Sequence, residues 1–388
     1  MFSKRMTRRR SLWLGLGSLA TIGISKGLSH KYGSSYMQSL DRKHKDFQVV
    51  GTASLRQRAA AKGLIYGSAG NYETLSVDPT LANSFAQECG ILVPEGELKW
   101  GFVQGIRNRF DFTQGDWLAN FTRTHNMLLR GHTLVWHLVL PEWFEKVVNR
   151  QNAERIFIEH IATVTKHYAG QMHSWDVVNE AIDLDHGRSD GLRQSPWLKF
   201  LGPDYIELAF RVAAEADPKA LLVYNETAFE YNSSRDKARR TAILKLLERL
   251  KSKGAPIHAL GIQSHLRGDG KADFNAKNFR SFLADVASLG LKILITELDV
   301  TDDELTADID IRDRIIADVY EDYLSTVLDE PAVIAVLTWG LSDKVTWISE
   351  YAPRSDGKAV RPLPLDDSFQ RKLAWNGIAR AFDNAPKR

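Results

Sequence analysis

From about residue 50 onward, short apolar runs alternate with longer amphipathic stretches, and the alternation recurs eight times. The runs fall at residues 64–68, 91–94, 128–136, 173–178, 220–224, 258–263, 292–296 and 333–339. They are rich in Val, Ile and Leu on both faces, as expected of parallel strands buried under helices. The stretches between them, such as 153–167, 204–216, 235–253, 279–289 and 311–328, are helical in length and pattern, and 368–382 would close a ring. Eight such βα units predict an α/β fold, a (β/α)8 TIM barrel forming a single domain over residues 51–388. A doubly wound open sheet would place a glycine-rich phosphate loop after its first strand, and Gly67-Ser68-Ala69-Gly70 lacks that fingerprint.

A length of 388 residues suits one barrel with insertions. The formal net charge is +3, and much of the basic excess lies before residue 46. The barrel itself is therefore near neutral, which argues against nucleic acid as a partner. The single cysteine, Cys89, excludes an intramolecular disulfide and reads as a small buried hydrophobe in a helix over 81–89. At the amino end Lys4, Arg5, Arg8, Arg9 and Arg10 precede an uncharged run over 11–25. That run has signal-peptide length and is short for a membrane span. Thr7-Arg8-Arg9-Arg10-Ser11-Leu12 also resembles the twin-arginine export signal. Residues 1–30 are thus expected to engage the export machinery, placing the protein in the periplasm or outside the cell. An uncleaved membrane anchor is the alternative, and residues 31–50 read as a polar linker.

In a parallel barrel the functional face is built at the carboxyl ends of the strands. After the second run come Glu95, Glu97, Lys99 and Trp100, and after the third come His132, Trp136, His137 and Trp143. The fourth and fifth end in Asn179-Glu180 and Asn225-Glu226, and the sixth in Gln263-Ser264-His265. The seventh ends in Glu297, and the eighth in Trp339, with Trp347 close behind. Singly, each has an ordinary explanation: a glutamate caps a helix, a tryptophan fills a core. Gathered at one face, they do not. Glu180 and Glu297 occupy equivalent strand ends and can face one another across a pocket. Paired carboxylates flanking a bond are what glycoside hydrolysis needs.

Five strings sharpen this reading: Arg130-Gly131-His132-Thr133-Leu134-Val135-Trp136-His137, Trp175-Asp176-Val177-Val178-Asn179-Glu180, Gln263-Ser264-His265, Ile295-Thr296-Glu297-Leu298-Asp299, and Thr338-Trp339-Gly340-Leu341-Ser342-Asp343. In this order, and with Trp347, they resemble glycoside hydrolase family 10, the (β/α)8 endo-1,4-β-xylanases, over residues from about 50 to 385. The resemblance implies one catalytic domain that cleaves internal β-1,4 bonds of xylan with retention. It makes Glu180 the acid/base and Glu297 the nucleophile of a double displacement. It further implies that Asn179 hydrogen-bonds a sugar 2-hydroxyl and that His265 orients the nucleophile. Glu95, Lys99, His137, Trp143 and Gln263 would bind the sugar, while Trp339 and Trp347 would form an apolar wall and roof over it. No cofactor and no metal is called for. The partners expected are xylan and xylo-oligosaccharides, with the chain acting as a monomer.

The sequence also departs from the family pattern. Gly96 stands where an asparagine is usual, Leu138-Val139 replace Ser-Gln, and Glu226 replaces an aspartate. The first two remove hydrogen-bonding groups on the glycone side, worth about 1 kcal/mol each. They open two alternatives: a retaining β-glycanase acting on another β-linked polysaccharide, or a non-catalytic glycan-binding barrel at the cell envelope. A barrel enzyme for phosphate substrates would carry a glycine-rich loop after strand seven or eight, where Leu298 to Glu304 are acidic instead.

Overall fold

A computed structural model describes residues 45–388. Among the described residues nine strands form: β1 (Ile65–Gly70), β2 (Ile91–Pro94), β3 (Leu128–Gly131), β4 (Met172–Asn179), β5 (Leu221–Glu226), β6 (Ala259–Ile262), β7 (His265–Arg267), β8 (Lys292–Thr301) and β9 (Val333–Thr338). Every pairing between them is parallel, and the β6–β8 and β1–β9 pairs close eight of them into the expected barrel. The ninth, β7, is a short offshoot beyond β6 that pairs with the far end of β8, setting His265 opposite Asp299. It had not been expected as a strand.

The barrel interior is packed with Ile91, Val93, Val223, Ala259, Leu294, Ala335 and Leu337, and Trp339 and Trp347 join this cluster at the carboxyl end. These are alternate residues on their strands, the period that aims one set inward. A second cluster fills the layer between strands and helices. Helix Ala153–His167 contributes Ile156, Phe157, Ile161 and Val164 at helical spacing, and the fully buried Cys89 belongs to the same layer. Burial pushes the Cys89 thiol well above its usual range, as befits a hydrophobe.

Other elements also differ in extent from the sequence-based expectation, among them β8, which runs on to Thr301 rather than ending at 296, the third strand and the last helix. The third run does not continue as a strand to residue 136: β3 ends at Gly131, a cis peptide joins His132 to Thr133, and Val135 then pairs with Val178. The tight spot is Gly131, where a Cβ would lie 2.0 Å from the Trp175 ring of the neighbouring strand. Leu134 and Val135 regain the ladder by donating to the Asp176 and Val177 carbonyls, both at 3.0 Å. The last helix runs Leu373–Asn384 rather than from 368. The Asp366 carboxylate accepts from the Ser368 and Gln370 amides, which folds those residues into a turn.

The export signal and most of the linker lie outside the described residues. The linker's last part, 45–50, packs on the barrel. Phe47 is buried, and its carbonyl accepts from Asn376 Nδ2. The Lys45 ammonium meets Asp318, Glu321 and Asp322 on helix Ile309–Val327.

Candidate active site

Both expected catalytic glutamates lie at a local irregularity in their strands, Glu180 just beyond one and Glu297 within one. The β4–β5 register shifts between Asp176 and Val178, and the β8–β9 register shifts between Ile295 and Leu298. Such shifts re-aim the side chains that follow, and they are common beside active sites. Glu180 itself adopts a left-handed φ of 55°. For a residue with a Cβ that conformation costs about 1–3 kcal/mol and needs its surroundings to hold it. Two bonds do so: the Glu180 amide donates to the Asn225 carbonyl at 2.9 Å, and Arg193 Nε donates to the Glu180 carbonyl at 2.8 Å.

The two carboxylates are buried, at 7% exposure for Glu180 and 5% for Glu297, and amides bridge them. Glu180 Oε1 accepts from Gln263 Nε2 at 3.1 Å and from Asn179 Nδ2 at 3.3 Å. Asn225 Nδ2 donates to both Asn179 Oδ1 (2.9 Å) and Glu297 Oε1 (2.8 Å). Thr296 in turn donates to Asn225 Oδ1, which fixes that amide's orientation. The second Glu297 oxygen lies 3.2 Å from His265 Nε2, whose Nδ1 is 3.0 Å from Asp299 Oδ1. Trp347 Nε1 donates to the other Asp299 oxygen at 2.8 Å.

This wiring sorts the charges. Burial disfavours the His265 cation, but Asp299 and Glu297 outweigh it and raise its pKa well above the usual range, leaving an imidazolium. Burial likewise opposes ionisation of Glu297. Hydrogen bonding from His265, the neighbouring His132 and the Asn225 amide together hold its pKa below the ordinary value. One carboxylate is thus kept ionised, wired to a cation on one side and to an amide on the other. His132 is anchored in its turn by Asp176, 2.9 Å from its Nδ1, and Arg130 pairs with the other oxygen of that carboxylate.

Of the residues the sequence nominated, Glu180, Glu297, Asn179, His265, Gln263 and Trp347 belong to this one network. Lys99 is buried, with its ammonium 5.0 Å from the Trp136 ring and 5.8 Å from the Trp339 ring. Burial lowers its pKa, an effect partly offset by Glu297, Glu95 and Glu180. Glu95 accepts from Asn71 Nδ2 at 2.7 Å and shares a small recess with Trp339 and Trp347. His137 borders Asn179 and Glu180, and both of its ring nitrogens are buried without a hydrogen-bond partner among the described residues. Burial and then Arg193 bring its pKa down to about 3, so it meets a ligand as neutral imidazole. Trp143 stands apart: its indole N–H donates to the Gln104 carbonyl and its ring lies against Phe144.

Four contributors had been given no role by the sequence: Asn225, Asp299, Arg193 and His132. His132 and Asn225 were already placed at strand ends, and Asp299 too carried a readable signal. Asn225 sits at the end of strand five, as Asn179 does on strand four, and Asp299 lies two residues beyond Glu297, on the same side of the strand. Arg193 lay in a loop with nothing to mark it.

Residues 54–381 match the family described as Glycosyl hydrolase family 10. The chain is 34% identical over 302 residues to Endo-1,4-beta-xylanase B of Thermotoga neapolitana, covering 78% of this chain and 83% of that one. It is 35% identical over 300 residues to Endo-1,4-beta-xylanase A of Caldicellulosiruptor sp. (strain Rt8B.4), covering 73% of this chain but only 41% of that longer relative. Among solved structures, xylanase 10B from Thermotoga petrophila RKU-1 in complex with xylobiose superposes with a TM-score of 0.77 at 33% identity, covering 87% of this chain and 99% of that one.

Proposed function

The chain belongs to glycosyl hydrolase family 10, and from that premise we propose that it is a retaining endo-1,4-β-xylanase whose nucleophile is Glu297 and whose acid/base is Glu180. The observation that carries this reading is the buried pair of carboxylates with unequal surroundings. Glu297 is held ionised between His265 and Asn225, while the Glu180 carboxylate accepts from the Gln263 and Asn179 amides. In the first step Glu297 attacks the anomeric carbon and Glu180 gives its proton to the departing oxygen, leaving a glycosyl–enzyme ester. In the second, Glu180 takes a proton from water, which displaces Glu297 from the sugar. Asn179 is positioned by Asn225 and Gln263 beside both carboxylates, so it can meet the 2-hydroxyl of the reacting sugar. Neutral His137 and buried Lys99 supply hydroxyl contacts, and Trp339 supplies an apolar face.

The test is incubation of the full chain with xylan, the products and their anomeric configuration being followed by NMR. Release of internal fragments with retained β configuration supports the reading, and first-formed α product refutes it. Glu297→Ala should abolish turnover. A second reading, a β-glycanase for another polysaccharide, draws on Gly96 and Leu138-Val139. Faster hydrolysis of a β-glucan or mannan than of xylan would favour it. Export to the periplasm or beyond is proposed on residues 1–30 alone, and fractionation of expressing cells tests it.

A further inference from the structure

Beside the catalytic cleft, between the segment that follows β2 and the one that follows β3, lies a cavity of about 870 Å³. That is within the range of ligand sites, and large enough for a sugar ring with its hydroxyls. It adjoins the cleft: His137 borders both this cavity and Glu180. Its apolar walls come from Tyr72, Phe102 and Phe144 together with Leu138 and Val139, two of the residues that depart from the family pattern. The width of the gap is set by backbone contact. The Gly101 amide donates to the Val139 carbonyl at 2.7 Å, and a Cβ on Gly101 would lie just 2.7 Å from that oxygen.

The charged side chains in the lining are of one sign. Glu97, Asp111, Glu142 and Glu145 line the cavity beside the neutral Thr113, Gln114 and His137, and among the described residues no lysine or arginine joins them. Glu97 forms part of the floor, with its carboxylate accepting from the Tyr72 and Gly96 amides, while Glu142 and Glu145 stand exposed at the rim. Aromatic and aliphatic walls suit the apolar faces of a sugar, carboxylates accept from its hydroxyls, and the acidic field opposes an anionic substituent. Resting on the endo-xylanase reading above, we propose that this cavity is an additional glycone-side site that takes an uncharged sugar ring of the substrate and rejects a uronic acid. The ring could be a further backbone unit or a neutral pentosyl branch.

The experiment compares kcat/KM for an aryl xylobioside, linear xylohexaose, an arabinosyl-branched and a glucuronosyl-branched xylo-oligosaccharide. It uses the wild type, Leu138→Trp, which fills the cavity, and the double variant Glu142→Lys/Glu145→Lys, which reverses the rim. The wild type should prefer either the linear hexaose or the arabinosyl-branched substrate to the glucuronosyl-branched one, and whichever is preferred identifies the source of the ring. Leu138→Trp should erase that preference, by about tenfold relative to the aryl xylobioside. The rim variant should improve the glucuronosyl-branched substrate selectively. Equal losses on all four substrates in Leu138→Trp, or a wild type that favours the glucuronosyl branch, would overturn the proposal. If no wild-type rate were seen even on the aryl xylobioside, the endo-xylanase reading itself would fall, and this one with it.

Discussion

Replacing Asp299 by asparagine separates charge from geometry at the nucleophile. In the wild type His265 lies between two carboxylates, and Asp299 is the stronger of the two influences that keep it cationic. An asparagine amide oxygen can still accept from Trp347 Nε1, while its NH2 donates to His265 Nδ1, leaving the Nε2–H on Glu297. What disappears is the positive charge. The bond to Glu297 stays charge-assisted through the carboxylate, but the attraction of the imidazolium is lost, and an opposite charge at this range lowers a carboxyl pKa by about 1–3 units. Loss of the more distant Asp299 charge offsets part of this, so the low end applies: about 1.4 kcal/mol, or about one pKa unit on Glu297, upward. Since Glu297 attacks only when ionised, the acid limb of kcat/KM, which reports the free enzyme, should move up by about one unit. Rates below that limb should fall about tenfold, with a smaller loss on the neutral plateau. Initial rates on an aryl xylobioside across acid and neutral pH measure this. An acid limb that stays within about 0.3 unit while kcat falls would refute the assignment of charge to His265. A stability signature accompanies it. A histidine whose folded pKa is raised stabilises the fold fully below its unfolded pKa of about 6.5 and loses that contribution as pH rises through the folded value. The Tm gap between wild type and variant should therefore be widest just below about pH 6.5 and narrow above it.

Other substitutions test other parts of the site. Arg193→Met removes the guanidinium that holds the Glu180 carbonyl. Substrates with poor leaving groups should slow by about tenfold or more and activated aryl glycosides far less, since the latter need little proton donation; equal losses would mean that Arg193 only supports the fold. Gly261→Ala would put a Cβ 2.2 Å from Asn225 Oδ1. It should cost about 1–3 kcal/mol in denaturant unfolding and displace the amide that bridges the glutamates; an unchanged kcat in the folded variant would contradict the role given to Asn225. Val139 is a β-branched residue at φ 53°. Val139→Asn, which tolerates that conformation, should raise stability by about 1 kcal/mol and Tm by a few degrees, and a lower Tm would show that the valine's wall contacts outweigh its backbone strain.

Much of this protein could be read from the chain by itself. The eight barrel strands, the helices between them and the two glutamates at strand ends are local patterns, set by hydrophobic period and by which residue terminates each run. Those patterns survive in one dimension because burial on both faces of a strand leaves its mark on every residue. The break after Gly131 and the offshoot β7 left no such mark, since each depends on what the adjacent strand presents. Gly131 ends β3 under the Trp175 ring, and His265 comes to lie opposite Asp299 through pairing with β8. The same holds for the wiring of the site. Asn225, Asp299 and Arg193 gain their roles from register shifts and from neighbours 13 to 72 residues away along the chain. The cavity beside His137 is likewise a gap between two loops rather than a property of either. Sequence determined which groups could do the chemistry, because composition and period act locally; only tertiary structure decided which of them touch, because a hydrogen bond depends on tenths of an ångström set by distant segments.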